Sequence, residues 1–398
     1  MTNVRSTAAA AVLALVLPLS TAAAGTASAA SAHTAAVSSA PAPAPAAQST
    51  LLALPRPTGP YRVGEDDLHL VDVRRQDPWV PSAGPRQLMV SMYYPARAGT
   101  GRPAPYMTTA EAQDFLSMEG VSSLVPAAEL AGTLTYAYTD ARPEQGRYPL
   151  VLLSPGFTLP RETLTGLATD LASRGYVVAL VDHTYEDSGT TFPDGRTLTC
   201  AICGANQPSN PAVIADSRAK DLSFVIDELT GRDPAWQYAR MIDAKRIGIA
   251  GHSLGGDAAA TTMAADPRVR AGVNMDGTFW EPAPAEGVGR RPFLLLGNPT
   301  DHSVGSPDTS WDAAWTNLDG WKRWLTVTGT VHTNFTDVPL LATEAGIPTP
   351  GMQIPALRAM QLTRTYVAAF FDLQLKGIPQ PLLDGPSAAD PEVVFQHP

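Results

Sequence analysis

The segment GHSLG at residues 251–255 places Ser253 between two glycines, in the G-x-S-x-G pattern. It follows the β-prone residues RIGIA and precedes a run of small residues that is typical of a helix. At a sharp strand-to-helix turn the serine backbone is strained and its hydroxyl is exposed. The free N–H groups at the start of the helix then face the oxygen that becomes negatively charged during acyl transfer. The pattern therefore predicts that Ser253 is a nucleophile.

A serine nucleophile needs a histidine that accepts its proton. Among the seven histidines of the chain, His332 in VTGTVHTNF follows the last predicted strand, where a sheet of this kind brings a histidine to the active site. His252 adjoins Ser253, so its side chain is expected to point away from the serine, and His302 follows the preceding strand. We therefore predict that His332 is the general base.

The histidine in turn needs a carboxylate that orients it. Two aspartates between Ser253 and His332 stand at the ends of predicted strands: Asp276 in AGVNMDGTFW and Asp301 in LLLGNPTDHS. Both satisfy the chain order serine, aspartate, histidine. The order of the residues alone does not decide between these two aspartates.

These residues lie in a part of the chain where apolar strands alternate with helices. From Tyr148 onward, this alternation is typical of a parallel sheet that is covered by helices on both faces. Before it, residues 63–73 and 86–95 predict a β-hairpin. Ligands bind at the carboxyl ends of such parallel strands, which is where the candidate residues stand. The predicted parallel strands are YPLVLLSPG, GYVVALVDH, RIGIAG, AGVNMDG, PFLLLGN and WKRWLTVTGTVH.

The beginning of the 398-residue chain differs in composition from the rest. A positive residue, an apolar run and a stretch of small residues predict a signal peptide over residues 1–30, cleaved near Ala29 or Ala30, and hence a secreted protein. The apolar run is shorter than the roughly 20 residues of a membrane span. Residues 31–50 are rich in Ala, Pro and Ser and predict a flexible linker. Residues 51–398 form the predicted catalytic domain.

The charge of the chain disfavours several classes of partner. The net charge is −10, and the sequence contains no run of basic residues, so we expect no binding to nucleic acid or to an anionic membrane surface. We also expect no stable insertion into a membrane. The sequence also shows no cluster with the spacing of metal ligands. We therefore predict neither a metal nor a cofactor.

Cys200 and Cys203, in TCAICG, are the two cysteines of the chain. A C-x-x-C pair can bind zinc, carry redox chemistry or form a disulfide. Zinc would require two further ligands, and a redox pair normally opens a helix, whereas this pair stands in a loop-like segment. Residues i and i+3 of a β-turn lie within about 7 Å, which is inside the reach of a disulfide. The spacing therefore favours a disulfide.

Seven segments between about Val63 and the final predicted helix carry a family resemblance. They are VDVRRQDPW, RQLMVSMYYPA, YPLVLLSPGF, DLASRGYVVALVDH, GHSLGG, NMDGTFW and VTGTVHTNF. Together they resemble the platelet-activating-factor acetylhydrolase family (plasma or isoform II type) of α/β-hydrolase esterases and lipases. The resemblance implies an α/β-hydrolase fold, Asp276 as the acid, and an oxyanion hole made by the backbone N–H groups of Phe157 and Leu254.

We therefore predict a secreted serine carboxylic-ester hydrolase that acts on a small-molecule ester or a lipid through an acyl-enzyme on Ser253. Phe279 and Trp280 are expected to line the acyl pocket, whereas Trp311 is expected to belong to the core. Two alternatives share the fold. One is a lipase or cutinase-type polyester hydrolase with Asp301 as the acid, and the other is a secreted serine peptidase. The sequence predicts neither the natural substrate nor the oligomeric state.

Overall fold

The computed structural model describes residues 51–280 and 287–397. The predicted signal peptide and linker, residues 1–30 and 31–50, lie outside the described residues. The strands are β1 (Arg62–Gln76), β2 (Pro85–Ala96), β3 (Arg102–Pro103), β4 (Ala137–Thr139), β5 (Tyr148–Ser154), β6 (Val177–Val181), β7 (Thr190–Thr191), β8 (Thr197–Leu198), β9 (Ile242–His252), β10 (Val269–Met275), β11 (Phe293–Gly297), β12 (Lys322–Val327) and β13 (Val393–Phe395). The α-helices are α1 (Thr109–Met118), α2 (Ala127–Ala131), α3 (Thr165–Ser173), α4 (Ala212–Thr230), α5 (Leu254–Ala265), α6 (Pro299–His302), α7 (Ser310–Asn317), α8 (Val338–Glu344) and α9 (Ala356–Lys376).

Eleven of these strands form one sheet, in the order β13-β12-β11-β10-β9-β5-β6-β2-β1-β4-β3. The six strands from β12 to β6 in this order run parallel to one another. β13 and β2 join this parallel part antiparallel, one on each side, and β1 pairs with β2 as the predicted N-terminal hairpin. The prediction of an α/β-hydrolase fold with a mostly parallel central sheet is confirmed.

Helices cover both faces of the sheet because its central strands are apolar on both sides. Every residue of β5 and β6 is buried, which is the physical reason for their continuous apolar sequences. On one face, α3 and α9 contribute Leu167, Leu171 and Phe370 to the core. On the other face, α4 and α5 contribute Leu222 and Met263.

Predicted and observed elements agree closely in the parallel part of the chain. The predicted helices at residues 212–229 and 357–375 correspond to α4 and α9, with bounds that differ by one residue. The short elements α1 and α2 and the edge strand β13 were not predicted. In the part of the chain that the structure describes, no helix is long and apolar enough to span a membrane.

The carboxyl ends of four neighbouring parallel strands carry the residues that the sequence singled out. Ser253 follows β9, Asp276 follows β10, Asp301 lies beyond β11, and His332 lies beyond β12. Because these strands are adjacent and parallel, their carboxyl ends meet at one edge of the sheet. β5 lies next to β9, so the segment that contains Phe157 reaches the same edge.

Candidate active site

Ser253 stands in a strained turn between β9 and α5. Its φ of 54° lies in the left-handed region that residues other than glycine rarely adopt. A Cβ atom at Gly251 would lie 2.0 Å from the carbonyl oxygen of Gly255, and a Cβ atom at Gly255 would lie 2.1 Å from that of Ser154. Both glycines are therefore required by the close approach of neighbouring backbone. The turn holds a partly exposed serine at the carboxyl edge of the sheet.

His332 is brought to the same edge by a 3-10 turn, His332–Phe335, that follows β12. Its Nδ1 donates a hydrogen bond to Asp276 Oδ2 over 2.7 Å, and its side chain is 46% exposed. Within residues 51–280 and 287–397, Ser253 Oγ makes no hydrogen bond with His332. Serine–histidine bonds of hydrolases are often long without substrate and tighten in the complex. The structure therefore brings together the predicted base and acid beside the predicted nucleophile.

Asp276 is fully buried at the end of β10, with a φ of 59°. Its carboxylate accepts hydrogen bonds from His332, from His302, and from both the backbone and the side chain of Asn298. Burial alone would raise the pKa of Asp276, but the hydrogen bonds from His302 and His332 outweigh burial and hold this pKa well below its usual range. Asp276 is therefore an ionised carboxylate with several donors arranged around it.

Asp301, the alternative acid, lies on the exposed surface. Its carboxylate accepts a hydrogen bond from Asn298 Nδ2 over 3.0 Å, and its N–H donates to Asn298 Oδ1. Asn298 in turn donates to Asp276, and the described contacts of His332 include Asp276 and not Asp301. The geometry favours Asp276 as the orienting acid, and its catalytic role stays a prediction.

The backbone N–H groups of Phe157 and Leu254 have no acceptor in the described part of the chain. Leu254 is the first residue of α5, where N–H groups lack partners within the helix. The start of α5 packs directly against the end of β5, since a Cβ atom at Gly255 would meet the carbonyl oxygen of Ser154. The side chains of Phe157 and Leu254 share one apolar cluster. Two free N–H groups thus belong to segments in direct contact, as an oxyanion hole requires.

A buried hydrogen-bond network of polar side chains anchors the segment that contains Phe157. Ser154 Oγ donates to His183 Nε2, and His183 Nδ1 donates to Asp221 Oδ2, each over 2.9 Å. Burial, together with the charge of Arg218, lowers the pKa of His183 to about 3, so this ring is neutral. Arg218 also donates to the carbonyl oxygen one residue after Ser154. The sequence analysis did not identify this network, because its members come from β5, the loop after β6, and α4.

His252 supports His332 from within the core. Its Nε2 donates to the backbone carbonyl oxygen of His332 over 2.9 Å, and the two ring centroids are 4.7 Å apart. Burial and the neighbouring His332 lower the pKa of His252 to about 3. A neutral ring with its proton on Nε2 fits this hydrogen bond. His252 therefore holds the backbone of the predicted base.

The aromatic residues considered for the acyl pocket lie in three different settings. Phe279 is buried in the core, with its ring 6.4 Å from that of Phe293. Trp280 is 50% exposed, and Trp311 is fully buried. The expectation that Trp311 belongs to the core agrees with its burial. Neither Phe279 nor Trp280 lines the groove beside His332, and substrate binding by these two residues stays a prediction.

A groove lined mainly by apolar side chains opens beside His332. Its cavity volume is about 290 Å³, and Val331 and Thr333, the two neighbours of His332 in sequence, form part of its wall. Since segments far apart in sequence build the groove, no local pattern predicted it. Further lining residues are Leu52, Tyr106, Phe115, Leu130, Leu341 and Ala342.

Cys200 and Cys203 are joined by a disulfide, the outcome that their spacing favoured. Ile202 and Cys200 pack in the same apolar cluster as Phe157 and Leu254. The disulfide loop therefore contributes to the same apolar cluster as the side chains of both predicted oxyanion residues. The disulfide loop thus helps to support the predicted oxyanion residues.

One group of carboxylates in residues 51–280 and 287–397 has the spacing of a metal site. Oxygens of Glu111, Glu162 and Asp182 lie within 4.8 Å of one another, and all three residues are buried. Arg161 approaches Glu162 to 3.1 Å and Glu111 to 3.8 Å, and it also pairs with Asp182. A guanidinium thus already balances this group, which contains none of the candidate catalytic residues.

The family described as platelet-activating factor acetylhydrolase, isoform II, matches residues 46–195 and 230–372, which include every candidate catalytic residue. The chain belongs to this family. A relative from Arthroderma benhamiae, named as a probable 1-alkyl-2-acetylglycerophosphocholine esterase, is 31% identical over 86% of this chain and 93% of that protein. The resemblance deduced from the sequence is confirmed.

Other relatives of this acetylhydrolase-family chain are also named as ester hydrolases. The solved structure of a ferulic acid esterase from Streptomyces cinnamoneus is 45% identical, has a TM-score of 0.76, and is matched over 87% of this chain and 99% of that one. A bis(hydroxyethyl) terephthalate hydrolase of Streptomyces coelicolor is 29% identical over 39% of this chain and 40% of that protein. The chain is a carboxylic-ester hydrolase of the platelet-activating factor acetylhydrolase isoform II family.

Proposed function

We propose that the protein is a secreted serine esterase that forms an acyl-enzyme on Ser253. The observation that carries this proposal is the bond between His332 and the buried carboxylate of Asp276, at the edge where the strained Ser253 stands. The N–H groups of Phe157 and Leu254, which have no acceptor among the described residues, support an oxyanion hole at this site. Each role of a serine hydrolase is thus assigned. Ser253 is the nucleophile, His332 the base and Asp276 the orienting acid, and two backbone N–H groups are the oxyanion donors.

In the proposed reaction, Ser253 Oγ attacks the carbonyl carbon of the ester while His332 Nε2 takes the hydroxyl proton. The N–H groups of Phe157 and Leu254 stabilise the resulting oxyanion. When the bond to the alcohol breaks, His332 returns the proton to the alcohol oxygen, and the acyl group remains on Ser253. Water, deprotonated by His332, then releases the acid and restores the serine. Asp276 stays ionised and stabilises the imidazolium at each stage.

We propose that the substrate carries an apolar acyl group. The groove beside His332 is lined mainly by apolar side chains and begins at Val331 and Thr333, next to the predicted base. Grooves of this kind favour apolar ligand groups with a few fixed polar contacts near the reacting atoms. The ferulic acid esterase that is 45% identical is named for an aromatic acid, which supports an aromatic acyl group as the first candidate.

Trapping of the acyl-enzyme tests the proposal directly. The protein is mixed with an excess of a chromogenic acetate ester, quenched in acid, digested and examined by peptide mass spectrometry. We expect a burst of released alcohol and an acetyl group on the peptide that contains Ser253. An acetyl group on another residue, or no burst and no modified peptide, would contradict the acyl-enzyme. An anilide with the same acyl group, measured in parallel, separates an esterase from a serine peptidase.

Substitution of Ala342 by phenylalanine tests the groove. Ala342 lines the groove on α8, so a ring at this position would fill the space that we assign to the acyl group. We expect kcat/KM for an aromatic acyl ester to fall about 10- to 200-fold, and that for an acetate ester to fall far less. Thr343, the next residue on α8, is exposed, and Thr343→Phe is the matched control. Equal losses on both esters in Ala342→Phe would count against an acyl-binding groove.

We also propose export through a signal peptide at residues 1–30, a segment outside the described residues. The composition of this segment supports the proposal. The disulfide between Cys200 and Cys203 supports it too, because disulfides persist in oxidising compartments. Sequencing of the mature N-terminus from culture medium tests it, and the expected cleavage lies near Ala29 or Ala30.

A further inference from the structure

Asp276 lies between two histidines. Its Oδ2 accepts the Nδ1–H of His332 over 2.7 Å, and its Oδ1 accepts the Nδ1–H of His302 over 2.8 Å. The other ring nitrogen of His302, Nε2, lies 3.2 Å from Asp308 Oδ2. An ionised carboxylate only accepts hydrogen bonds, so each ring nitrogen of His302 must carry a proton. The geometry makes His302 an imidazolium that bridges two carboxylates.

Protein groups around the buried His302 stabilise this positive charge. His302 is 2% exposed, and within the described residues its ring pairs with two charged groups, Asp276 at the end of β10 and Asp308 before α7. α7 also presents Trp311, whose ring stacks on the imidazole at a centroid distance of 4.1 Å. β12 presents Trp324, whose indole N–H donates to the backbone carbonyl of His302. Burial opposes the charge, but the hydrogen bonds to both aspartates raise the pKa of His302 to about 9.

We propose that His302 is a positioning residue of the esterase: its imidazolium fixes Asp276 toward His332 and limits how tightly Asp276 holds a proton on His332. The inference rests on the proposed function, because it takes His332 as the base and Asp276 as its partner. A cation on one side of a carboxylate weakens the attraction of that carboxylate for a cation on its other side. The charge of His302 therefore weakens the attraction of Asp276 for the imidazolium that His332 becomes during the reaction. His302 thus extends activity toward acidic pH.

Two substitutions separate the hydrogen bond of His302 from its charge. In His302→Asn the side-chain amide can still donate to Asp276, but the positive charge is lost. In His302→Phe both are lost, while a ring remains against Trp311. His69 is exposed and bonds to Gln87, far along the chain from the site, so His69→Asn and His69→Phe are the matched controls. kcat and KM are measured for a chromogenic acetate ester across pH, with thermal unfolding as the test of folding.

We expect the acidic limb of kcat/KM to move to higher pH by about one unit in both His302 variants, the effect of removing one nearby charge. Above that limb, His302→Asn should keep most of its kcat. His302→Phe should lose on the order of 100-fold in kcat at nearly constant KM, because Asp276 loses one of the donors that fix its orientation toward His332. The His69 variants should match the wild type in both respects. A residue with only a packing role would lower activity without moving the limb.

Nitrogen NMR of the imidazole rings gives a second measurement on the unaltered protein. We expect both ring nitrogens of His302 to be protonated at pH 7. A neutral His302, or an acidic limb that stays in place in a folded His302→Asn, would overturn the inference and leave the proposed function intact. A wild-type protein that hydrolyses no ester and is not acylated on Ser253 would overturn the proposed function itself. If His302→Phe does not fold, His302→Asn and the NMR measurement still test the proposed role of His302.

Discussion

Replacement of Ser253 by alanine is expected to lower kcat for ester hydrolysis by about 10⁴- to 10⁶-fold. The hydroxyl is the nucleophile of the proposed reaction, and the remaining groups alone give only weak catalysis. Folding should be unaffected, because within the described residues Ser253 Oγ makes no hydrogen bond with His332, and alanine keeps the small side chain of the turn. Initial rates with a chromogenic acetate ester, together with thermal unfolding, measure both effects.

Serine labelling provides the control for this variant. A serine-directed organophosphate should modify Ser253 in the wild type and leave the Ser253→Ala protein unmodified. Ser154 also stands at the end of a parallel strand, but it is fully buried and should escape the reagent. If the alanine variant kept more than about 1% of activity, the loss would be far below that of a true nucleophile, and the nucleophile would have to be sought elsewhere.

Substitution of Asp276 by asparagine is expected to reduce kcat at neutral pH by about 10⁴-fold. An amide cannot stabilise the imidazolium of His332, and it favours the wrong tautomer of the ring. The same change removes the carboxylate that His302 and Asn298 contact, so a lower melting temperature is expected as well. Rates therefore have to be measured on the folded fraction, at a temperature well below the unfolding transition.

Asp301→Asn is the decisive comparison. Asp301 is exposed, and in the described part of the chain its carboxylate contacts the site through Asn298, so most of the activity should remain. The opposite result, an inactive Asp301→Asn and an active Asp276→Asn, would place the acid beyond β11, as in the lipase or cutinase alternative. The proposed roles of Asp276 and His302 would then both be wrong.

The parallel part of the fold could be predicted because burial leaves a local mark on the sequence. Strands that are covered on both faces, such as β5 and β6, must be apolar throughout, and the helices between them repeat apolar residues on one side. Ser253 was also predictable, since its strand, turn and helix are continuous in sequence. The edge strand β13 is only three residues long and joins the sheet far from its partner in sequence, so it leaves no such mark.

The second layer of the site could not be predicted, because it consists of contacts between loops that follow different strands. His302 was visible as a histidine after a strand, but nothing local shows that its ring lies against Asp276. Asn298 likewise acts through a partner 22 positions earlier in the chain. The loop after β11 offered Asp301 as an acid, whereas in the structure that loop supplies the donors that surround Asp276.

If the nucleophile of this protein were chosen by its hydrogen bond to a histidine, Ser154 would be chosen instead of Ser253. Ser154, His183 and Asp221 show the complete serine–histidine–aspartate connectivity, yet each is at most 1% exposed and no ester can reach them. Ser253 makes no hydrogen bond to a histidine among the described residues, but it occupies an accessible, strained turn. A search for active sites that uses serine–histidine–aspartate hydrogen bonds alone would therefore count this buried structural network as a second active site. Solvent access has to be scored together with connectivity.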